Sequence, residues 1–491
     1  MMKRIISVML VLMMLLSFVA CSKDETPEET NSQTVNNDVA DNVDPRTVLD
    51  VPKMDFGGKE LTIHQRSGDR KVELYSEELT GELVPDAVFN RNAFVEDYLK
   101  IKWKWSEVDG NYSQQKLVLN NALSTGAEAY HITANYAYYA APWAAENMFV
   151  DFNAIDPAKN HLDFTKAWWN QSYSKEATIN GKLYFMVGDA CTAAMNRVEC
   201  LVINEALVSD ILGESTEEFL NHVYDRTWTY EYFLHCIAQM GNGKDTGMWG
   251  ASLQMNSTSI DGFLGALAIN TVERDDKGGA VPNYTDDRTI SIAEALRSLY
   301  QDNPAVNAVE GWQNGIDPFV AGTTLFYGGI LQDISKAFKD LAWDYAVMPY
   351  PLWDENQTEY RSVPHDEYSI LGIPTNVFES MEATTAALEV MNYQSLQEVR
   401  PALYEKSFKM RYMKTSFKAK MFDYVIDNTY YDFGFIYTGA MGATPQDKQA
   451  GFHCFRNYIR PATAPGGLGS IAETSENTAK TQLAAFIAKF N

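Results

Sequence analysis

Three groups of polar and aromatic residues have side chains suited to binding a small molecule. They are Arg66, Asp69 and Arg70; Asn135, Tyr136 and Trp143; and Gln254, Asn256 and Asp261, with Tyr327 and Tyr431 as further candidates. Guanidinium, carboxylate and amide groups bind the hydroxyl rim of a polyhydroxylated molecule, and aromatic rings cover its apolar C–H faces. Taken alone, each residue is better explained by solvation or packing. As a set they come from distant segments that the fold has to bring together.

The stretch from residue 130 to residue 152 is predicted to form one wall of such a site. It begins as a strand over 130–134 and continues into an aromatic turn, where Pro142 has no N–H to donate to a strand ladder. A strand that ends in a loop rich in aromatic residues is typical of the sheet edge where ligands collect in α/β proteins. Filling of the core explains the same rings, so both interpretations stay open.

The elements around this stretch alternate between strand and helix. Apolar residues recur at helical spacing over 86–100, and shorter runs alternate in polarity. The predicted order is strand 59–66, helix 86–100, strand 101–105, helix 114–123 and strand 130–134. This order predicts an α/β domain with a mostly parallel sheet.

Later segments give further local predictions. Thr229 is expected to cap a helix, and Ser380 to cap another. Strands are expected over 197–204, 250–254 and 368–374, the last of which should rejoin the first sheet. Tyr327, Gly328 and Gly329 are expected to form a turn between a strand and a helix. The adjacent Trp168 and Trp169 are assigned to core packing.

The first residues are typical of a secretion signal. Lys3 and Arg4 precede an apolar run over 5–20, which is too short to span a membrane comfortably. The run ends in Ala20 before Cys21, as in a bacterial lipoprotein signal, so we expect cleavage before Cys21 and acylation of its thiol. An ordinary cleaved signal peptide or a signal anchor are the alternatives. Residues 21–57 are acidic and poor in large apolar side chains, which predicts a disordered tether.

Composition excludes several classes of function. The 491 residues carry a net charge of −25, which argues against a nucleic-acid partner because such a partner needs a basic face. The four cysteines after Cys21 form no CxxC or zinc-type spacing, and the seven histidines form no HxH or HExxH pattern. We therefore expect no metal and no cofactor. A Cys191–Cys200 disulfide and free buried thiols are both compatible with the sequence.

The order of several loose motifs resembles that of bacterial extracellular solute-binding proteins, the receptor subunits of ABC importers. The motifs are TGELVPDAVFNRNAFVEDYLKIKWKW, FVDFNAI, AWWNQSYSKEATINGKLYFMVGDA and DYAVMPYP. The maltose-binding-protein-like group is the most similar. The resemblance implies a type II periplasmic-binding-protein-like fold, in which two hinge-linked α/β lobes enclose a central ligand cleft. It places the hinge near residues 151–155 and 182–188.

The resemblance also implies a domain plan and partners. Residues 1–20 are expected to be the lipoprotein signal, 58–155 with 350–395 the first lobe, and 156–349 with 396–491 the second lobe. The implied function is capture of a small polar solute, with a carbohydrate as the first choice, and delivery to ABC permease subunits at the extracytoplasmic face of the cell membrane. We expect a lipid-anchored monomer and no enzyme. A secreted carbohydrate-active enzyme and a surface adhesin or sensor without transport are the alternatives.

Overall fold

Two mixed β-sheets organise the chain. The computed structural model describes residues 44–109, 112–275, 279–442, 453–460 and 467–491, without the side chains of Asp69, Arg70, Tyr112 and Arg411. The predicted signal, Cys21 and most of the predicted tether lie outside the described residues. The strands are β1 (Lys59–Arg66), β2 (Ile101–Val108), β3 (Ile132–Tyr136), β4 (Glu199–Asn204), β5 (Trp249–Gln254), β6 (Val272–Arg274), β7 (Ala280–Pro282), β8 (Val306–Val309), β9 (Thr324–Ile330), β10 (Tyr345–Met348) and β11 (Ser369–Gly372).

Sheet one has the strand order β11-β3-β1-β2. β1 runs parallel to β2 and to β3, with Ile63 opposite Ile132, so the carboxyl ends of all three strands lie at one edge. β11 pairs antiparallel to β3 and rejoins this sheet from far along the chain, as predicted. The predicted strand over 130–134 is shifted, because Tyr136 pairs with Ser369 and extends β3 to that residue.

Sheet two has the strand order β10-β4-β9-β5-β8. β5 is parallel to β8 and β9, whereas β4 is antiparallel to both of its neighbours. Alternate residues of β4 pack on opposite faces: Leu201 and Ile203 lie in one hydrophobic cluster, and Cys200 and Val202 in another. A strand covered on both faces reads as a continuous apolar run, which explains the sequence CLVI.

Helices cover both sheets. The α-helices are Leu83–Leu99, Tyr112–Thr125, Ala137–Ala140, Gln171–Ala177, Thr192–Asn196, Glu205–Leu207, Thr216–Tyr224, Tyr230–Ala238, Gly243–Thr246, Ser257–Ala266, Asp287–Gln301, Trp312–Val320, Leu331–Asp333, Met381–Gln394, Met410–Tyr412, Ser416–Asp427, Phe433–Ile436, His453–Ile459 and Leu468–Ile487. The 3₁₀ segments are Pro45–Thr47, Gly68–Glu73, Ala141–Glu146, Phe152–Ala154, Thr438–Met441 and Ala488–Phe490. The π-helical segments are Val208–Leu212, Ile334–Phe338, Ser395–Val399 and Ala402–Lys409.

Three stretches of chain pass between the two sheets. Residues 186–199 lead from a bridge between Met186 and Leu371 of β11 into β4. Residues 349–368 lead from β10 back to β11 and pair with the first stretch at Val198 and Pro364. A third stretch, 381–412, is helical throughout and includes two of the π-helical segments.

One of the two predicted helix caps is confirmed, and the other is wrong. The Thr229 side chain accepts a hydrogen bond from the Tyr232 N–H and caps the helix Tyr230–Ala238, as predicted. Ser380 stands at the start of the helix Met381–Gln394, but its side chain makes no capping bond. The Glu128 carboxylate accepts the Phe378, Glu379 and Ser380 N–H groups instead, because a carboxylate at a helix N-terminus satisfies several donors at once.

Two predicted turns are wrong. Tyr327, Gly328 and Gly329 lie inside β9, between β4 and β5, so they form no turn. A Cβ at Gly328 would lie 2.8 Å from both Leu253 Cδ2 and the Tyr350 hydroxyl, so the glycine permits close packing of the sheet. The aromatic stretch after β3 is helical rather than a loop, and Pro142 lies in the first turn of the 3₁₀ segment Ala141–Glu146, where its missing N–H costs little.

Two further findings concern the cysteines and the membrane. Cys191, Cys200, Cys236 and Cys454 are all free and buried, so the alternative of free thiols holds and the Cys191–Cys200 disulfide is not formed. In the described part of the chain, no helix has the length and apolar character needed to cross a membrane.

Candidate functional site

Arg66 is the last residue of β1 and brings a guanidinium group to the carboxyl edge of sheet one. It is 3% exposed, and its Nη2 donates to Glu73 Oε1, the Glu367 carbonyl oxygen and Ser369 Oγ, each at 3.4 Å. The guanidinium also lies 4.6 Å from the centroid of the Tyr136 ring. Burial raises the pKa of Glu73, and the Arg66 charge opposes this shift. The end of β1 is therefore tied to residues 367–369.

A second guanidinium group contacts residues 365–367 from the side of sheet two. Arg197 precedes β4, and its Nη1 pairs with the Glu367 carboxylate. The Arg197 carbonyl oxygen accepts the His365 N–H at 2.9 Å. On the other side of His365, Ser257 Oγ lies 3.1 Å from its Nε2, and Ser257 begins the helix that follows β5. Residues 365–367 therefore receive contacts from the ends of both sheets; we call this the junction.

Helix His453–Ile459 adds a third wall. The Tyr138 hydroxyl lies 2.9 Å from His453 Nε2, and the two rings stack at 5.2 Å. Arg456 pairs with the Asp261 carboxylate, to which its Nε donates at 2.8 Å. Tyr138 follows β3 of sheet one, whereas Asp261 lies in the helix after β5 of sheet two. The helix thus joins the surroundings of both sheets through hydrogen bonds.

Glu199 is a buried acid beside these charges. It is fully buried, and neither of its carboxyl oxygens has a hydrogen-bond partner among the described residues. Burial raises its pKa well above the ordinary value, and the nearby Asp261 and Asp366 raise it further. Burial therefore favours the protonated, neutral form of this side chain, while the Arg456 charge opposes it. A Cβ at Gly262 would lie 2.7 Å from the Tyr350 ring, which shows how tightly the surroundings of Glu199 are packed.

The junction is tightly packed beside Asp366. The gap that Asp366 forms with Tyr138 and Tyr368 has a volume of about 10 Å³. Burial raises the pKa of Tyr136, and the carboxylates of Asp366 and Glu367 add to the shift. Charged and hydrogen-bonding groups are thus packed together where two sheets meet.

Most of the sequence-predicted residues have positions around the junction. Asn135 is 1% exposed and its Nδ2 donates to Thr133 Oγ1 at 2.6 Å, while its Oδ1 has no partner among the described residues. Asn256 caps the helix Ser257–Ala266, and its Nδ2 donates to Gln254 Oε1 at 3.2 Å. Asp69 and Arg70 lie in the 3₁₀ segment after β1, but their side chains are outside the described part.

The structure places the three remaining predicted rings in the core. Trp143 is 4% exposed, and Lys116 Nζ lies 5.8 Å from its ring centroid. The fully buried Tyr327 donates its hydroxyl to Asp333 Oδ2 at 2.8 Å. Tyr431 is 2% exposed and packs edge-on against Tyr173 and Tyr368. In this closed arrangement none of these rings presents an open face.

Sequence reasoning missed the charged residues that define the junction. Arg197, Glu367 and Arg456 were not among the candidates, although each is charged and lies within or beside an otherwise apolar segment. That signal was present in the sequence: Arg197 precedes a buried strand, and Glu367 precedes YSILGIP. Within the described residues, no group of three His, Cys, Asp or Glu is placed to hold a metal ion.

Solved structures share this fold at low sequence identity. An ABC substrate-binding protein from Listeria monocytogenes in complex with cycloalternan is 12% identical, with a TM-score of 0.55 over 87% of this chain and 99% of that one. The galacto-N-biose-/lacto-N-biose I-binding protein from Bifidobacterium longum is 16% identical, with a TM-score of 0.57 over 88% and 98%. The GacH receptor of Streptomyces glaucescens is 15% identical, with a TM-score of 0.54 over 87% and 99%.

These likenesses show the fold, which is the two-lobed type II architecture of periplasmic solute-binding proteins. No curated protein matches the chain. A sequence profile named for the bacterial extracellular solute-binding protein matches residues 91–398, more than half of the 491 residues. The chain therefore belongs to the family of bacterial extracellular solute-binding proteins.

Proposed function

We propose that the protein is the receptor of an ABC importer and captures a carbohydrate at the junction between its two sheets. One observation carries this proposal: Arg66, at the end of β1, binds the Glu367 carbonyl oxygen, and Arg197, just before β4, binds the Glu367 carboxylate. A ligand placed between them would contact both sheets at once. Its binding would therefore depend on how far apart the sheets stand.

The chemistry of the junction suits a polyhydroxylated ligand. Guanidinium and carboxylate groups bind sugar hydroxyls with planar, often bidentate geometry. Asn135 Oδ1 and both Glu199 oxygens are buried acceptors that lack partners among the described residues. Tyr136 and Tyr138 contribute ring surfaces close to these groups. The family is one of transport binding proteins and not an enzyme family, and we propose that the ligand is bound without being altered.

The mechanism follows from the closed packing. Opening the lobes would separate Arg66 and Arg197 and admit solvent and ligand, with residues 186–199, 349–368 and 381–412 absorbing the change. A ligand can drive closure only through its preference for the closed form, so its hydroxyls have to bind the charged groups better than water does. The closed, loaded form would then be presented to permease subunits.

Ligands of the structural relatives support a sugar as the class. Those structures hold cycloalternan, lacto-N-biose and acarbose. Among the sequence-predicted residues we propose Arg66, Asn135, Tyr136, Gln254, Asn256 and Asp261 as the nearest to the ligand. Asp69, Arg70, Trp143, Tyr327 and Tyr431 stay predictions. To this set we add Arg197 and Glu367, because they connect the two sheets.

A panel of oligosaccharides tests the class of ligand on the mature chain. We expect one sugar to bind stoichiometrically by calorimetry and to raise the melting temperature by about 5 °C at 100 times its dissociation constant. Chromatography of the mixtures detects chemical change. Turnover of a glycan without stoichiometric binding would favour the enzyme alternative, and binding without stimulation of a reconstituted permease would favour a sensor.

We propose that Cys21 carries a lipid anchor, in keeping with an extracellular family. Cells producing the Cys21→Ala variant should release the protein from the membrane fraction, and labelling with a fatty acid should be lost. A variant with Ser22→Ala serves as the control and should stay in the membrane fraction. Equal membrane retention of both variants would show that the anchor lies elsewhere.

A further inference from the structure

A second cavity lies away from the junction. Its volume is about 510 Å³, within the range of small-molecule sites. Its walls come from Arg46 and from four stretches of chain: 165–172, 187–195, 400–404 and 426–431. Arg66, Arg197 and Glu367 do not line it. Two of these stretches, 187–195 and 400–404, belong to the segments that pass between the sheets.

Asp189 is the most unusual group in this cavity. It is 8% exposed, and its Oδ2 has no hydrogen-bond partner among the described residues. Arg400 Nη1 lies 3.6 Å from Oδ2, which is too long for a hydrogen bond. Burial raises the pKa of Asp189 to about 6, against the effect of Arg400, so the carboxyl is ionised at neutral pH. A buried carboxylate oxygen without a donor is costly, and a ligand donor would relieve that cost.

The backbone holds Asp189 in this position. Its N–H donates to the Trp168 carbonyl oxygen at 2.9 Å, and the preceding Gly188 forms a bridge with Trp169. A Cβ at Gly188 would lie 2.8 Å from the Trp169 ring, so the strand can lie this close only with glycine there. The carboxyl group therefore has little freedom to move to another partner.

The rest of the lining is charged and polar as well as apolar, and its charged residues are Arg46, Lys166, Arg400 and Asp427. The Arg400 side chain is 33% exposed and lies beside the Tyr404 ring, 5.7 Å from its centroid. Ala194, Met195 and Ile426 supply apolar surface. The rings of Trp169 and Tyr431 also line the cavity, but they are 3% and 2% exposed. They offer almost no face on which a sugar could stack.

We propose that this cavity binds a small zwitterion of the free amino-acid class. The ammonium group donates to Asp189 Oδ2, the carboxylate accepts from the Arg400 guanidinium, and an apolar side chain packs against Met195 and Ile426. One molecule thus supplies hydrogen-bond partners to both members of an ion pair whose atoms lie 3.6 Å apart. A polyol would supply only neutral hydroxyls, and the apolar wall would have no partner.

Calorimetry with methionine and leucine tests the chemistry on the mature chain. N-acetylmethionine lacks the ammonium group, and methionine amide lacks the carboxylate. We expect saturable one-to-one binding of the free amino acids, at least tenfold weaker binding of each blocked analogue, and no binding of sorbitol. Absence of saturable binding of both free amino acids, or equal binding of the blocked analogues or of sorbitol, would overturn the proposal.

Two substitutions and matched controls locate the site. Asp189→Asn and Arg400→Gln should each weaken methionine binding at least tenfold, and the partly exposed Arg400 keeps the test available if Asp189→Asn does not fold. The exposed pair Glu310 and Arg460 supplies the controls Glu310→Gln and Arg460→Gln, which should leave binding unchanged. Unaltered binding in Arg400→Gln, or an equal loss of binding in the two controls, would refute the site.

Discussion

Buried charges are held in two different ways in this protein. Arg91 is fully buried, and its guanidinium donates to the Leu74 carbonyl oxygen at 2.6 Å, Asn92 Oδ1 at 3.0 Å and Ser395 Oγ at 3.3 Å. At the junction, Arg66 and Arg197 pair with carboxylates instead. The first arrangement uses neutral groups that also bind one another or the backbone, whereas the second uses charges that could exchange one partner for another.

The two arrangements distinguish residues that stabilise the fold from residues that belong to the proposed binding site. Arg91 connects the segment after β1 to the helical stretch 381–412. None of the groups around it would gain a hydrogen-bond partner if the lobes opened. Arg197 and Glu367 precede strands of different sheets and lie in two connecting stretches that pair with each other at Val198 and Pro364. A ligand that competes for either charge would therefore act on the connection between the sheets. The pairing of opposite charges across two sheets therefore marks the place where binding and motion are coupled.

The largest expected effect comes from removing the scaffold charge. Arg91→Leu removes three buried hydrogen bonds, although the Leu74 carbonyl oxygen keeps the Asn92 amide as a donor at 2.9 Å, so we expect the free energy of unfolding to fall by about 3 kcal/mol. Urea denaturation measures this change. Sugar affinity of the folded fraction should stay the same. A loss below about 1 kcal/mol would mean that Arg91 is not part of the scaffold.

The next largest effect is expected at the junction, where a substitution should change sugar affinity more than the free energy of unfolding. Arg197→Gln removes the cation that connects both sheets, so we expect sugar binding to weaken by about 2–3 kcal/mol, near 100-fold. The free energy of unfolding should change less than in Arg91→Leu, because Glu367 can turn to solvent. Calorimetry measures the affinity, and Arg460→Gln is the control. Unchanged affinity would remove Arg197 from the site.

Glu389 is another buried acid of the scaffold, and its effect on the free energy of unfolding should depend on pH. The Glu389 carboxylate accepts the indole N–H groups of Trp168 at 3.1 Å and Trp169 at 2.9 Å, and burial raises its pKa to about 8. The folded protein therefore keeps a proton that the unfolded chain loses near pH 4.5, so stability falls as the pH rises from about 4.5 to 8. Glu389→Gln should flatten this profile by up to about 5 kcal/mol.

Urea midpoints at three pH values measure the Glu389 effect. The exposed Glu310→Gln is the matched control, since it removes an acid that is paired at the surface. Parallel profiles for wild type and Glu389→Gln would show that the carboxyl is already ionised in the folded protein. The two tryptophans, assigned to core packing from the sequence, are confirmed there by exposures of 1% and 3%.

Local structure could be predicted wherever one segment carried its own signal. β1 was predicted with its observed bounds because a glycine pair precedes an alternating run, and the cap at Thr229 was predicted because its side chain acts within three residues. The turn at Gly328 was wrong because its cause is not local. Leu253 and Tyr350 approach from elsewhere in the chain, and no pattern around Gly328 reports their presence.

The same limit explains the missed site residues. Arg197 and Glu367 are 170 positions apart, and neither segment looks unusual without the other. Asn135 and Asn256 could be proposed because a polar residue after a predicted strand suggests a sheet edge. The junction depends on how two such edges face each other, which is a property of the packed lobes and not of any window of sequence.

The smallest change in stability and in sugar affinity should come from Glu199→Gln. This substitution tests the comparison between paired charges and neutral buried groups. Burial raises the pKa of Glu199 well above its ordinary value and so favours the neutral form of the carboxyl. Glutamine then replaces one neutral planar group with another of the same shape, so we expect the free energy of unfolding to change by less than about 1 kcal/mol. Sugar affinity should change less than about threefold.

Urea denaturation and calorimetry of Glu199→Gln at pH 7 test whether a residue near the junction takes part in sugar binding merely because it is buried. Glu199 is as deeply buried as any junction residue and lies among the same charges, yet it has no cation of its own among the described ion pairs. If its neutral replacement weakens the sugar as strongly as Arg197→Gln does, the carboxyl is charged when the ligand binds. In that case a third charge takes part in closure, and the distinction between paired and neutral groups fails at this position.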